Sequence, residues 1–147
     1  MTRRYTTPGT SYKYLSGLVL LIAYGSLYPF DFAAAPEGAF SIMFSQATLF
    51  SSIGDALGNI GLFIPLGLLG VLTITSRRGM ASAIVQTLFI GFLIAFALQI
   101  AQLWVPTRTP ALNDVLWNMV GCITGVLLSY QLNTRRQNLS GIFEIPQ

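Results

Sequence analysis

A chain of 147 residues is the size of one domain. Apolar residues make up 53% of it and charged residues 9%; a soluble domain carries roughly 25% charged residues, so a mostly wet surface is excluded. Eight Lys and Arg against five Asp and Glu leave a net charge of +3, too sparse for a nucleic-acid footprint, and no nucleic-acid partner is expected. The chain has no histidine, which removes imidazole bases, Ser–His and Cys–His nucleophile pairs and the commonest metal ligand. The single cysteine, Cys122, excludes an intrachain disulfide. No metal, no cofactor and no catalytic residue is assigned.

Four apolar runs approach the roughly 20 residues needed to cross a hydrocarbon core: residues 14–30, 56–75, 81–105 and 115–131. They predict an all-α polytopic membrane protein of four transmembrane helices. Open strands cannot satisfy their backbone in lipid, and no barrel-like alternation is present. The expected layout is a tail over residues 1–11, a four-helix membrane domain over 12–132 and a polar, aperiodic, disordered tail over 133–147. Arg3, Arg4, Lys13, Arg77, Arg78, Arg135 and Arg136 fall on one side of the spans, and Arg108 alone on the other. Positive residues mark cytoplasmic loops, so both termini are expected in the cytoplasm and the protein in the inner or plasma membrane.

In chain order, residues 1–11 read as a polar, mobile tail. Arg3, Arg4, the first apolar run and Ala33-Ala34-Ala35 also resemble a secretory leader. The run outlasts the usual h-region of about 7–15 residues, and Pro36 directly follows the alanines, so the segment is expected to stay as an anchor. Tyr24, Tyr28, Phe30 and Phe32 suit an interfacial aromatic belt, and Pro29 closes the first helix. Apolar residues at 40, 43, 44, 47 and 50 predict a short interfacial helix on the outer side.

The second span opens with Ser52 and Asp55 in the spacing of a capping box. Asn59 lies one turn below Asp55. Gly54, Gly58 and Gly61 are expected to line a face of close helix contact, and Pro65 to kink the helix. A tight turn follows at 76–79. In the third span Gln86 is expected to bond a neighbouring helix, while Gln99 and Gln102 share one face near the outer end. In the fourth, Asp114, Asn118, Gly121 and Gly125 form one helical stripe. Gly121 and Gly125 are a GxxxG packing surface, for a neighbouring helix or for a homo-oligomer.

Asp55-x-x-x-Asn59 and Asp114-x-x-x-Asn118 both open spans that run inward from the outer side. Two helical hairpins in parallel repeat would explain the likeness; so would chance in apolar sequence. Either way Asp55, Asn59, Gln99, Gln102, Arg108, Asp114 and Asn118 fall at one depth, in the outer half. Singly, each has a structural explanation: a helix-dipole acid, interhelical glue, an interfacial anchor. Their convergence predicts a polar ligand-binding site, because polar groups in a membrane are costly and tend to mark function.

Three stretches, residues 24–30 (YGSLYPF), 55–67 (DALGNIGLFIPLG) and 102–125 (QLWVPTRTPALNDVLWNMVGCITG), resemble the VanZ-like family of small membrane proteins, named for a protein linked to resistance to the glycopeptide antibiotic teicoplanin. They match its Tyr-Pro-Phe end of span one, its Asp-x-x-x-Asn and Phe-x-Pro-x-Gly element, and its Gln, Arg, Asp-x-x-x-Asn and Gly-x-x-x-Gly run. One departure stands at Gln99, where many members carry Glu. The resemblance implies a cell-envelope membrane protein and supplies no mechanism.

The residues themselves favour binding over catalysis. In that reading the site takes a membrane lipid headgroup, a lipid-linked envelope precursor or glycan, or a glycopeptide antibiotic, with antibiotic resistance as an outcome. Arg108 would grip a phosphate or carboxylate, Asp55 and Asp114 would hold Arg108, and the amides would supply neutral hydrogen bonds. The alternatives are a paired-Asp intramembrane hydrolase or peptidase and a structural subunit of an envelope assembly.

Overall fold

The computed structural model describes residues 8–45 and 53–142. They form five helices, α1 (Pro8–Leu27), α2 (Ala39–Ser45), α3 (Ile53–Arg78), α4 (Met80–Gln102) and α5 (Leu112–Ile142). Among the described residues there is no strand. Ile53–Thr75, Met80–Gln102 and Leu112–Arg135 are long and apolar enough to cross a membrane, and α1 carries a shorter apolar stretch, Tyr12–Leu27. The chain is an all-α integral membrane protein.

The helix ends differ from the hydropathy runs for local reasons. Pro8 is the first helical residue of α1, where a missing N–H costs nothing, so the helix starts within the expected N-terminal tail. It stops at Leu27, short of Phe30. The Tyr28–Pro29 bond is cis and Phe30 has a φ of 66°, in the left-handed region that side chains other than glycine rarely enter. Helix α4 ends at Gln102 and continues as tight turns, with Leu103 N donating to Ile100 O at 3.0 Å and Val105 N to Gln102 O at 3.0 Å. Leu103 and Val105 are nonetheless buried, which is why the apolar run outlasts the helix.

Helix α5 continues past the apolar run to Ile142, so residues 133–142 are helical and not the disordered tail expected. Each residue added to an existing helix gains one backbone hydrogen bond with no new nucleus to form, and no proline interrupts it before Pro146. The proposed capping residue Ser52, and residues 46–50 of the expected interfacial helix, lie outside the described residues. Gly79, with a φ of 79°, turns the chain from α3 into α4. Helix α3 runs unbroken through Pro65.

The centre of the fold is the parallel pair α3 and α5. A Cβ at Gly121 would collide with the carbonyl of Ile60, one at Gly125 with that of Ile64, and one at Gly67 with that of Cys122. Bare backbones therefore touch, the usual solution in lipid, where apolar surface alone drives no association. The surface expected from Gly121 and Gly125 is occupied by α3 of the same chain. The face expected from Gly54, Gly58 and Gly61 is not the contact: Gly58 and Gly61 have nothing within 4 Å of a built Cβ. The glycines of α3 that meet neighbours are Gly67 and Gly70, the latter against Thr87 of α4.

Ile22, Phe63, Leu66, Ala95, Leu98, Val115 and Cys122 join α1, α3, α4 and α5 in one core. Leu20, Val85, Phe89, Leu116 and Leu127 point away from it, the apolar exterior of a protein solvated by hydrocarbon. Gln86 bonds a neighbouring helix as expected: its oxygen accepts from Arg78 of α3 at 3.3 Å, on an exposed surface, while its amide donates to Ser82 Oγ of its own helix at 2.7 Å.

Candidate functional site

One end of the bundle gathers the C-termini of α1 and α4 and the N-termini of α3 and α5, joined by the connection 103–111. Asp55 stands in the first turn of α3 and Asp114 in the first turn of α5, where the helix dipole favours a carboxylate. Asn59 follows Asp55 by one turn and so shares its face. A pocket of about 370 Å³ opens here, lined by Asp55, Asn59, Gln102, Arg108 and Asp114. Small residues, Gly25, Ser26, Gly54 and Gly58, leave its walls low, and Thr107 and Thr109 flank the arginine.

Arg108 and Gln102 hold the end of α1. The last carbonyls of a helix have no partner within it. Here Tyr24 O accepts from Tyr28 N at 3.0 Å and Leu27 O from Phe30 N at 2.8 Å. Between them, Gly25 O accepts from an Nη of Arg108 at 3.1 Å and Ser26 O from Nε2 of Gln102 at 2.9 Å. Nε of Arg108 adds a bond to Tyr28 O at 3.0 Å. All four terminal carbonyls of α1 are satisfied, two of them by side chains roughly 80 residues away. A cation at a helix C-terminus is also favoured by the dipole. The same connection reaches α1's exit twice more: Thr107 Oγ1 donates to Asp31 at 3.0 Å and Ala33 N to Trp104 O at 2.9 Å.

Gln99 lies behind the pocket. Its oxygen accepts from the Ala111 N–H at 2.9 Å, and its amide approaches Asp114 Oδ2 at 3.5 Å. Asn59 also lies within reach of Asp114, and Asp55 is close enough for its charge to be felt there. Gln99 therefore links the connection to the first turn of α5. Asn118, one turn below, is buried, and its Oδ1 has no hydrogen-bond partner.

Of the seven residues singled out from sequence, Asp55, Asn59, Gln102, Arg108 and Asp114 share the pocket. Gln99 supports Asp114 from outside the pocket lining, and Asn118 lies outside that lining too. Arg108 differs most from expectation: its resolved hydrogen bonds go to α1 carbonyls. Sequence reasoning missed Gly25 and Ser26, which contribute backbone, and Thr107 and Thr109, whose position beside Arg108 was a usable signal. It also missed Asp31, the Thr107 acceptor. The aromatics at the exit of α1 form a connected, exposed row, with Tyr24 and Phe30 ring centres 5.3 Å apart and Phe30 and Phe32 6.4 Å apart.

The arrangement offers a phosphate or carboxylate a guanidinium, an ammonium two carboxylates, and hydroxyl groups several amides. Among the described residues no group of three or more acids, His or Cys is arranged to hold a metal. The VanZ/LLP1 family model matches residues 7–133, which takes in α1 to α4, most of α5 and every residue of the pocket. No curated protein and no solved structure matches the chain. With a family match over most of its length and a membrane-spanning helical core, the chain belongs to the VanZ/LLP1 family.

Proposed function

We propose that this VanZ-like envelope protein binds the polar part of a membrane amphiphile in the pocket at the α1 exit. The observation that supports it is the meeting of Asp55, Asn59, Gln102, Arg108 and Asp114, from four segments of chain, around one cavity of about 370 Å³. Glue between helices would be satisfied pairwise and buried; Asp55 is instead exposed, with Asn59, Arg108 and Asp114 half-buried. The charge rule puts this end of the bundle at the outer leaflet. Candidate ligands there are a lipid headgroup, a lipid-linked glycan or a glycopeptide antibiotic, and antibiotic resistance follows if capture or shielding of the last is the physiological outcome.

The test is native mass spectrometry of the full chain released from membranes, wild type against Asn59→Leu, with teicoplanin susceptibility measured in the same strains. Asn59→Leu puts an apolar group into the pocket and is expected to strip the bound amphiphile. A variant that folds and keeps its amphiphile overturns the reading. A second reading, a paired-acid hydrolase, draws on Asp55 and Asp114 sharing the pocket. It requires that Asp114→Asn keep the ligand and lose all turnover, whereas a binding site loses affinity.

A further inference from the structure

We infer that the pocket selects a headgroup carrying both an ammonium and a phosphate, and selects against a purely anionic one. This rests on the amphiphile-binding reading above and names the chemistry it would take.

The charges in the pocket are separated. Arg108 lies on the α1 side, fixed there by its bonds to Gly25 O and Tyr28 O. Asp55 and Asp114 lie on the α3 and α5 side, with Asn59 beside them in the same lining. Two carboxylates against one guanidinium give the lining a formal excess of one acidic group. Helix dipoles do not change that count, because two N-termini and two C-termini meet at this end and their partial charges cancel. At the edge of a hydrocarbon core an excess carboxylate is costly, and like charges in one pocket make it more so.

A ligand bearing only a phosphate would satisfy Arg108 and worsen the excess. A headgroup with an ammonium as well as a phosphate offers a partner to each side. Size agrees. About 370 Å³ is near the small end of ligand sites, which run from roughly 300 to 1,000 Å³, and suits a compact headgroup better than an oligosaccharide. The apolar remainder of such a ligand has a neighbouring surface: a second hollow of about 140 Å³, lined largely by Ala39, Leu103, Val105 and Pro106, shares Gln102, Arg108 and Thr109 with the first.

The experiment equilibrates the full chain with lipid nanodiscs of phosphatidylethanolamine and phosphatidylglycerol in equal amounts, with and without a chelator, and counts retained lipid by native mass spectrometry. The expected result is at least about a tenfold preference for the ethanolamine lipid, the size of one charge-assisted hydrogen bond. That preference should persist with chelator and fall towards unity in Asp55→Asn and in Asp114→Asn. The wild-type preference stands on its own if a variant fails to fold.

Soluble phosphoethanolamine is added as a competitor. If it displaces the lipid, the same chemistry can come from a water-soluble source; if it does not, the inference stands with the membrane as the source. Equal retention, or preference for phosphatidylglycerol, overturns this inference and leaves amphiphile binding standing. Phosphatidylglycerol bound only without chelator also overturns it, in favour of a metal-bridged anion. Retention of neither lipid also overturns this inference, and the amphiphile reading is then decided by the Asn59→Leu comparison.

Discussion

Arg108 reaches back to the end of the first helix, donating to Tyr28 O at 3.0 Å and to Gly25 O at 3.1 Å. The residue that looks from sequence like a ligand's counter-charge is first of all the clasp that fixes α1 to the connection between α4 and α5. The two roles are compatible, since a guanidinium has five N–H donors and two are committed to α1. Holding the fork in place also lowers the entropy a ligand must overcome to use the rest of it.

Lysine cannot reproduce that fork. Arg108→Lys is expected to lose at least one charge-assisted bond, about 1.5–3 kcal/mol, from the docking of α1. Hydrogen exchange of amides around residues 27–33 should rise while those of α3 and α5 stay protected. Unchanged protection at the α1 exit would mean the clasp contributes nothing.

The glycines of α3 and α5 divide sharply. Gly121→Ala and Gly125→Ala drive a methyl group into the backbone of Ile60 and Ile64 and are expected to cost about 1–3 kcal/mol or more as the helices separate. Gly61→Ala meets open space and should be neutral or stabilising by about 0.5–1 kcal/mol through helix propensity. Thermal midpoints in detergent compare the three directly. Equal behaviour would contradict the packing of α3 on α5.

Thr87 is buried against Gly70, and its Oγ1 has no hydrogen-bond partner. Thr87→Val keeps the shape and removes the orphan hydroxyl. It is expected to raise stability by about 1 kcal/mol, read as a higher midpoint in the same assay. A lower one would indicate that the hydroxyl has a partner in the membrane, such as a bound water.

Gln99 performs two tasks with one amide, accepting from Ala111 N and donating towards Asp114. Gln99→Glu keeps the first and replaces the donor with a second carboxylate. The substitution asks whether Asp114 depends on the amide. Stability at neutral pH is expected to fall by about 1–2 kcal/mol. No change would show that Asp114 does not depend on Gln99.

Much of this was legible in the residues. Asp55 and Asn59, like Asp114 and Asn118, are four apart in the first turns of spans, so each pair had to share a helix face, and polar groups at that depth had to find one another or water. What was not legible was the rotation of each helix. Gly58, Gly61 and Gly67 all lie on α3, yet only Gly67 meets another backbone. Nothing in the spacing of one helix says which side its neighbour occupies. Asn59 and Asn118 hold equivalent places in their motifs, but only Asn59 lines the pocket, while Asn118 is buried one turn below Asp114.

The sequence alone determined the solvent, the number and rough length of the apolar helices, and the gathering of the polar residues towards one end of them. These follow from hydropathy summed along one dimension, and lipid punishes any other solution. The tertiary structure alone decided that Arg108 and Gln102 close the end of α1, that Gln99 stands behind Asp114, and that Gly67, Gly121 and Gly125 join the bundle. Those are contacts between residues tens of positions apart, set by which carbonyls a helix end leaves unpaired and how closely two backbones can approach.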